Sequence, residues 1–155
     1  MTERTVTHAT FVIDRTYDAP PARVFAAWAT AEAKASWFAG PNEWQAVERE
    51  FDFRVGGHER LKGVFPGGRS SDFRSHYFDI VPNERIVYAY DMYMNDAKLS
   101  VSLATIEFRP AGAGTRLVVT EQGAFLDGYD DAGSREQGTR WLLDKLEQAL
   151  KNARG

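Results

Sequence analysis

Hydrophobic and polar positions follow three successive rhythms along this chain. Between Thr7 and Tyr17, Ala9, Phe11 and Ile13 alternate with Thr10, Val12 and Asp14, the period of two expected of a half-buried strand. Asp18-Ala19-Pro20-Pro21 stops it, because proline cannot donate to a strand ladder yet suits a first helical turn. Val24, Phe25 and Trp28 then take helical spacing. Thr30 reads as the cap of a second short helix over Ala33–Phe38, and Gly40-Pro41-Asn42 ends the pair.

From Trp44 to Gln122 the period returns to two, in segments separated by turn residues. The predicted strands are Trp44–Val55, His58–Phe65, Asp72–Val81, Arg85–Tyr93, Leu99–Arg109 and Thr115–Gln122. Their connections (Gly56-Gly57, Pro66-Gly67-Gly68, Pro82-Asn83, Asn95-Asp96, Gly112-Ala113-Gly114) are short enough for hairpins, so the run predicts an antiparallel meander. After the loop Gly123–Asp130, Leu142, Leu146, Ala149 and Leu150 form one apolar stripe of a long C-terminal helix, with Ser134 and Gln137 as its capping box. Gly138 and Arg135 continue that stripe toward the N-terminus without being core formers, so the first half of the helix is expected to face a cavity. Together these elements predict an α+β fold, a curved antiparallel sheet wrapped round the long helix, with two short helices after the first strand. No linker or repeat divides the chain, which reads as one domain over residues 1–155.

Composition narrows the partners. The chain has 155 residues, 22 acidic and 19 basic side chains and a formal charge of -3, which argues against nucleic-acid binding. Cysteine is absent, removing thiol chemistry and Cys-based zinc sites and fitting a cytoplasmic setting. The longest apolar run, Val24–Ala29, is far short of the ~20 residues of a membrane span. His8, His58 and His76 lack metal-site spacing, and no motif calls for a cofactor. Homodimerisation is left open. Aromatic residues reach 13%, which suits either a bulky core or an aromatic-lined cavity.

Strand parity supplies the candidate site. If Ile106 and Phe108 point inward, Ala104, Ser102 and Ser100 share their face and leave space beyond the core. On the same reasoning Glu59 follows Leu61 and Phe65, and Tyr88 and Tyr90 follow Ile86. Glu121 follows Leu117 and Val119, while His76 and Arg74 follow Ile80 and Phe78. Arg74 and Arg135 are the expected counter-charges for Glu59 and Glu121.

The segments Tyr17–Phe25 with Trp28, Trp37-Phe38, Asp52–Gly57, Asp79–Tyr88 and Gly114–Leu117 with Gly138 and Leu142, taken in this order and spacing, resemble the SRPBCC (START-like, Bet v 1-like) superfamily. Within it the chain is similar to bacterial proteins related to activator of heat-shock protein 90 ATPase homologues. The resemblance implies a helix-grip fold with a deep, mostly apolar cavity between sheet and helix. It leaves three functions open, because a fold does not choose among them. The leading one is binding of a small hydrophobic or aromatic molecule, with Trp37, Phe78, Tyr88 and Tyr90 as walls, Ser102, Ala104 and Gly138 leaving room, and Glu59, Arg74, Glu121 and Arg135 supplying polarity. The second is a cyclase-, dehydratase- or hydrolase-type enzyme acting on a polyketide-like or aromatic substrate, with His76, Glu121 and Arg74 as catalytic groups. The third is a co-chaperone-like protein-interaction domain.

Overall fold

The computed structural model describes residues 4–153. The alternating segments form seven strands: β1 (Val6–Tyr17), β2 (Gln45–Phe51), β3 (His58–Val64), β4 (Ser70–Val81), β5 (Arg85–Met94), β6 (Ala97–Ala111) and β7 (Gly114–Leu126). They make one antiparallel sheet in the order β1-β7-β6-β5-β4-β3-β2. Consecutive strands from β2 to β7 are neighbours, as the short turns require. β1 lies at the far edge beside β7, so the chain must cross from one edge of the sheet to the other. It does so through α1 (Pro21–Ala29) and α2 (Ala31–Ala35). The long helix α3 (Ala132–Asn152) returns across the inner face.

Inward-facing side chains of the sheet meet α3 and α1 in one core. Phe11, Ile13 and Tyr17 of β1, Ile86 of β5, Ile106 and Phe108 of β6, and Leu117 and Val119 of β7 pack with Val24, Phe25 and Trp28. Leu143, Leu146 and Leu150 are the buried positions of α3, with Leu142 and Ala149 half-buried beside them. The apolar stripe is thus rotated by part of a residue from the expected one, toward Leu143. The helix also starts differently. Asp131 is the N-cap, its carboxylate accepting from Ser134 N at 2.8 Å, and the expected Ser134/Gln137 capping box is not formed.

Two buried hydroxyls tie distant parts of the chain together. Tyr17 donates to the Leu143 carbonyl at 2.9 Å, joining β1 to α3, and Thr115 donates to the Ala19 carbonyl at 2.7 Å. Tyr17→Phe removes the first bond and leaves a buried helix carbonyl without its side-chain donor, so urea unfolding should show a loss of about 1–2 kcal/mol.

One strand departs from the expected parity. The ladder between β4 and β5 shifts register between Tyr77 and Asp79, so Phe78 is an extra residue in a β-bulge. The Gly56-Gly57 turn imposes it: Gly56 N donates to the Tyr77 carbonyl at 2.9 Å and Tyr77 N donates to the Gly57 carbonyl at 3.0 Å. Beyond the bulge the faces exchange. Phe73, Ser75 and Tyr77 point inward, while Arg74, His76 and Phe78 point outward, Phe78 being 61% exposed. The expected inward placement of Arg74, His76 and Phe78 is therefore corrected. No helix among the described residues is long and apolar enough to cross a membrane.

Candidate functional site

Between α3, the β3–β5 half of the sheet and the segment following α2 lies a half-open cavity of about 300 Å³. That is the lower end of the range for small-molecule sites. Its wall is mostly apolar, and all four tryptophans of the chain contribute to it: Trp28, Trp37, Trp44 and Trp141. Phe38, Leu61, Phe73, Tyr88, Tyr90 and Met92 add to the same surface. Phe73 sits 4.8 Å from Tyr90 and 5.0 Å from Phe38, ring centre to ring centre, so the wall is a continuous set of aromatic contacts.

Trp44 reaches this wall only because two glycines make room. A Cβ on Gly63 would lie 1.9 Å from the Trp44 ring, and one on Gly40 would lie 2.3 Å from it. Its indole nitrogen donates to Ser71 Oγ at 3.2 Å.

One edge of the cavity is polar. Tyr90 Oη donates to Glu121 Oε2 at 2.7 Å and accepts from Arg135 Nη1 at 2.9 Å. Arg135 Nη2 donates to Ser100 Oγ at 2.8 Å and to Asp130 Oδ2 at 3.0 Å, and Arg135 Nη1 lies 3.8 Å from Glu121 Oε2. The guanidinium also lies 5.6 Å from the Tyr90 ring centre and 5.4 Å from that of Phe125. Burial pushes the Glu121 carboxyl above the ordinary glutamate value. The Tyr90 hydrogen bond, the Arg135 charge and the nearby Ser102 hydroxyl oppose that rise without cancelling it. Burial raises the Tyr88 and Tyr90 phenols, and Glu121 raises them further. The Tyr88 hydroxyl lines the cavity and makes no hydrogen bond to the described residues.

The raised Glu121 carboxyl gives a signed prediction. Its folded state holds a proton more tightly than its unfolded state, so Glu121 favours folding increasingly as pH falls through the folded value toward the ordinary 4.5, and disfavours it above that window. In urea unfolding across that range, Glu121→Gln should flatten this part of the pH dependence. At neutral pH the variant should be as stable as the native protein or more so.

A second buried ionic group stands behind the aromatic wall. Lys34 Nζ of α2 and Tyr77 Oη both donate to Glu59 Oε1, each at 2.7 Å. The lysine and glutamate side chains are 3% and 2% exposed. Lys34 Nζ lies 4.4 Å from the Phe38 ring centre and within 6 Å of those of Trp28, Trp37 and Phe51.

Set against expectation, the structure brings Trp37, Tyr88, Tyr90, Glu121, Arg135 and Gly138 to one cavity. Glu59, Ser102 and Ala104 face inward and are buried, but lie outside the cavity wall. Arg74, His76 and Phe78 are on the other face of the sheet, so the trio His76–Glu121–Arg74 is not assembled. Arg135 does approach Glu121, as expected. Glu59 is neutralised by Lys34 and not by Arg74, whose partner is Asp72. Sequence reasoning missed Lys34, because an Ala-Glu-Ala-Lys-Ala helix reads as solvated. It also missed Trp44, for which the glycine at an inward position of β3 was the available signal. Among the described residues no cluster of three or more His, Asp or Glu side chains is placed to hold a metal ion.

The profile of the family described as Activator of Hsp90 ATPase homolog 1-like protein matches residues 18–151. A solved structure of a protein from Rhizobium leguminosarum is 49% identical, with a TM-score of 0.93 over 97% of this chain and 99% of that one. The Mll3558 protein from Rhizobium loti is 44% identical, with a TM-score of 0.87 over 94% and 99%. The AHSA1-like protein from Aeromonas hydrophila, 18% identical, has a TM-score of 0.71 over 94% of both chains and shares the fold. No curated protein matches the chain.

Proposed function

This chain belongs to the family of Activator of Hsp90 ATPase homolog 1-like proteins, and on that premise we propose that it binds one small, largely apolar, aromatic molecule between its sheet and α3. The observation that carries this reading is the aromatic cavity of about 300 Å³ with a single polar edge at Glu121, Tyr90 and Arg135. Covering a ligand's apolar surface supplies about 25 cal/mol per Å², less the cost of immobilising it. The free Tyr88 hydroxyl and the polar edge then orient its functional group. A thermal-shift screen of aromatic and hydrophobic metabolites tests the reading. Hits that raise the midpoint in proportion to the logarithm of ligand concentration support it. A broad library without a hit counts against it and favours a protein-interaction role on the outer surface.

Glu121 favours a second reading. A carboxyl of raised proton affinity on a cavity wall suits acid–base chemistry on a bound carbonyl compound. That reading requires turnover that Glu121→Gln abolishes while ligand affinity persists. It does not draw on His76 or Arg74, which face away.

A further inference from the structure

We infer that the cavity selects an uncharged ligand and rejects anions of the same shape, carboxylates in particular. The inference rests on the ligand-binding reading above and names the ligand's charge class.

The charge balance of the lining carries the argument. Among the described residues that form the wall, Arg135 is the one cation, and Glu121 and Asp130 are both carboxylates. The guanidinium is already committed. It donates to Tyr90 Oη, to Ser100 Oγ and to Asp130 Oδ2, lies 3.8 Å from Glu121 Oε2, and has the Tyr90 and Phe125 rings beside it. A carboxylate ligand would have to displace one of these partners or sit beside two like charges in a poorly solvated space. Either course leaves a desolvated negative charge without its own counter-ion. The buried cation Lys34 is outside the wall and bound to Glu59. Burial first, then Tyr90, and after them Glu121 and Glu59 raise the Tyr88 phenol, so nearby acidic groups act on that hydroxyl in the same direction.

Neutral groups meet no such obstacle. Tyr88 Oη can donate to a carbonyl or accept from a hydroxyl or amide. An uncharged hydroxyl on the wall, with no free cation among the described lining residues, describes a site for a ketone, amide or phenol on an aromatic frame.

The test compares 2-naphthamide with 2-naphthoate at pH 7 by isothermal titration calorimetry on the full chain. The two have the same frame and differ in charge. The amide is expected to bind at least about tenfold tighter, since tenfold is about 1.4 kcal/mol and placing like charges together costs that much or more. In Asp130→Asn/Glu121→Gln, where the Arg135 charge is no longer matched, the gap should close or reverse. Naphthoate binding as tightly as the amide to the native protein, or a gap unchanged in the variant, overturns the charge inference and leaves the cavity reading standing. If neither compound binds, both fall together.

Discussion

Lys34→Met should be the most damaging single substitution in the account, lowering stability by about 3–5 kcal/mol, the usual cost of removing one partner from a buried ion pair. In a domain of this length that is a fall in Tm of roughly 10 °C. The intact pair is not a large net asset, because burying both charges costs most of what their attraction returns. The damage comes from what is left behind. Glu59 stays 2% exposed, with one hydroxyl on Oε1 and no cation. The four rings round Lys34 lose the charge they face. Restoring neutrality should restore most of the stability, so Lys34→Met/Glu59→Gln, in which the glutamine oxygen still accepts from Tyr77, should lie much closer to the native protein than Lys34→Met does. Thermal and urea unfolding of the two singles and the double measure the coupling. A loss below about 1 kcal/mol for Lys34→Met would mean that water or a rearranged side chain replaces the lysine. The pair also bears on function: Lys34 fixes α2 on the sheet, and the segment after α2 carries Trp37 and Phe38 into the cavity wall.

The second large effect is on binding and not on folding. Gly138→Phe should lower affinity for any cavity ligand by at least about a hundredfold, because an aromatic side chain would occupy the space a ligand needs. Gly138 lines the cavity, one helical turn from Arg135 and from Leu142, which line it too. A Cβ built there meets nothing within 4 Å. Glycine is a poor helix former, so the replacement should hold or slightly raise the unfolding midpoint. Lost binding with retained stability separates occlusion from misfolding. Unchanged affinity would place the ligand elsewhere.

Much of the fold was legible because an apolar pair or anchor marks the inner parity of several strands, even where Val12, Val87, Val101, Leu103 and Val118 sit on the other. With Ile86, Ile106 with Phe108, and Leu117 with Val119 taken as inward, Tyr88, Tyr90, Glu121 and Glu59 follow from strand geometry. β4 was not legible by that route. It offers Phe73 and Tyr77 on one parity and Phe78 and Ile80 on the other. The choice between them is made by the Gly56-Gly57 backbone hydrogen-bonding to Tyr77, a contact from another turn that leaves no mark on β4's own pattern. The phase of α3 was ambiguous for a simpler reason: Leu142 and Leu143 are adjacent, and both meet apolar neighbours. Lys34 was hidden because its partner is 25 residues away, and only the cage of rings built by folding makes a buried lysine tolerable. The polar edge was half legible. Arg135 and Glu121 were paired from helix phase and strand parity, but the bridging role of the Tyr90 hydroxyl, and the claims of Asp130 and Ser100 on the same guanidinium, depend on three-dimensional placement.

All four tryptophans lie in the cavity wall, so intrinsic fluorescence reads that space directly. The decisive measurement is a titration of the full chain and of Gly138→Phe with a neutral aromatic amine, N-phenyl-1-naphthylamine, following tryptophan emission and its transfer to the probe. Saturable quenching at one molecule per chain is expected in the native protein, and its loss in Gly138→Phe. Emission that does not saturate, or saturation that survives the substitution, would contradict a ligand site in this cavity.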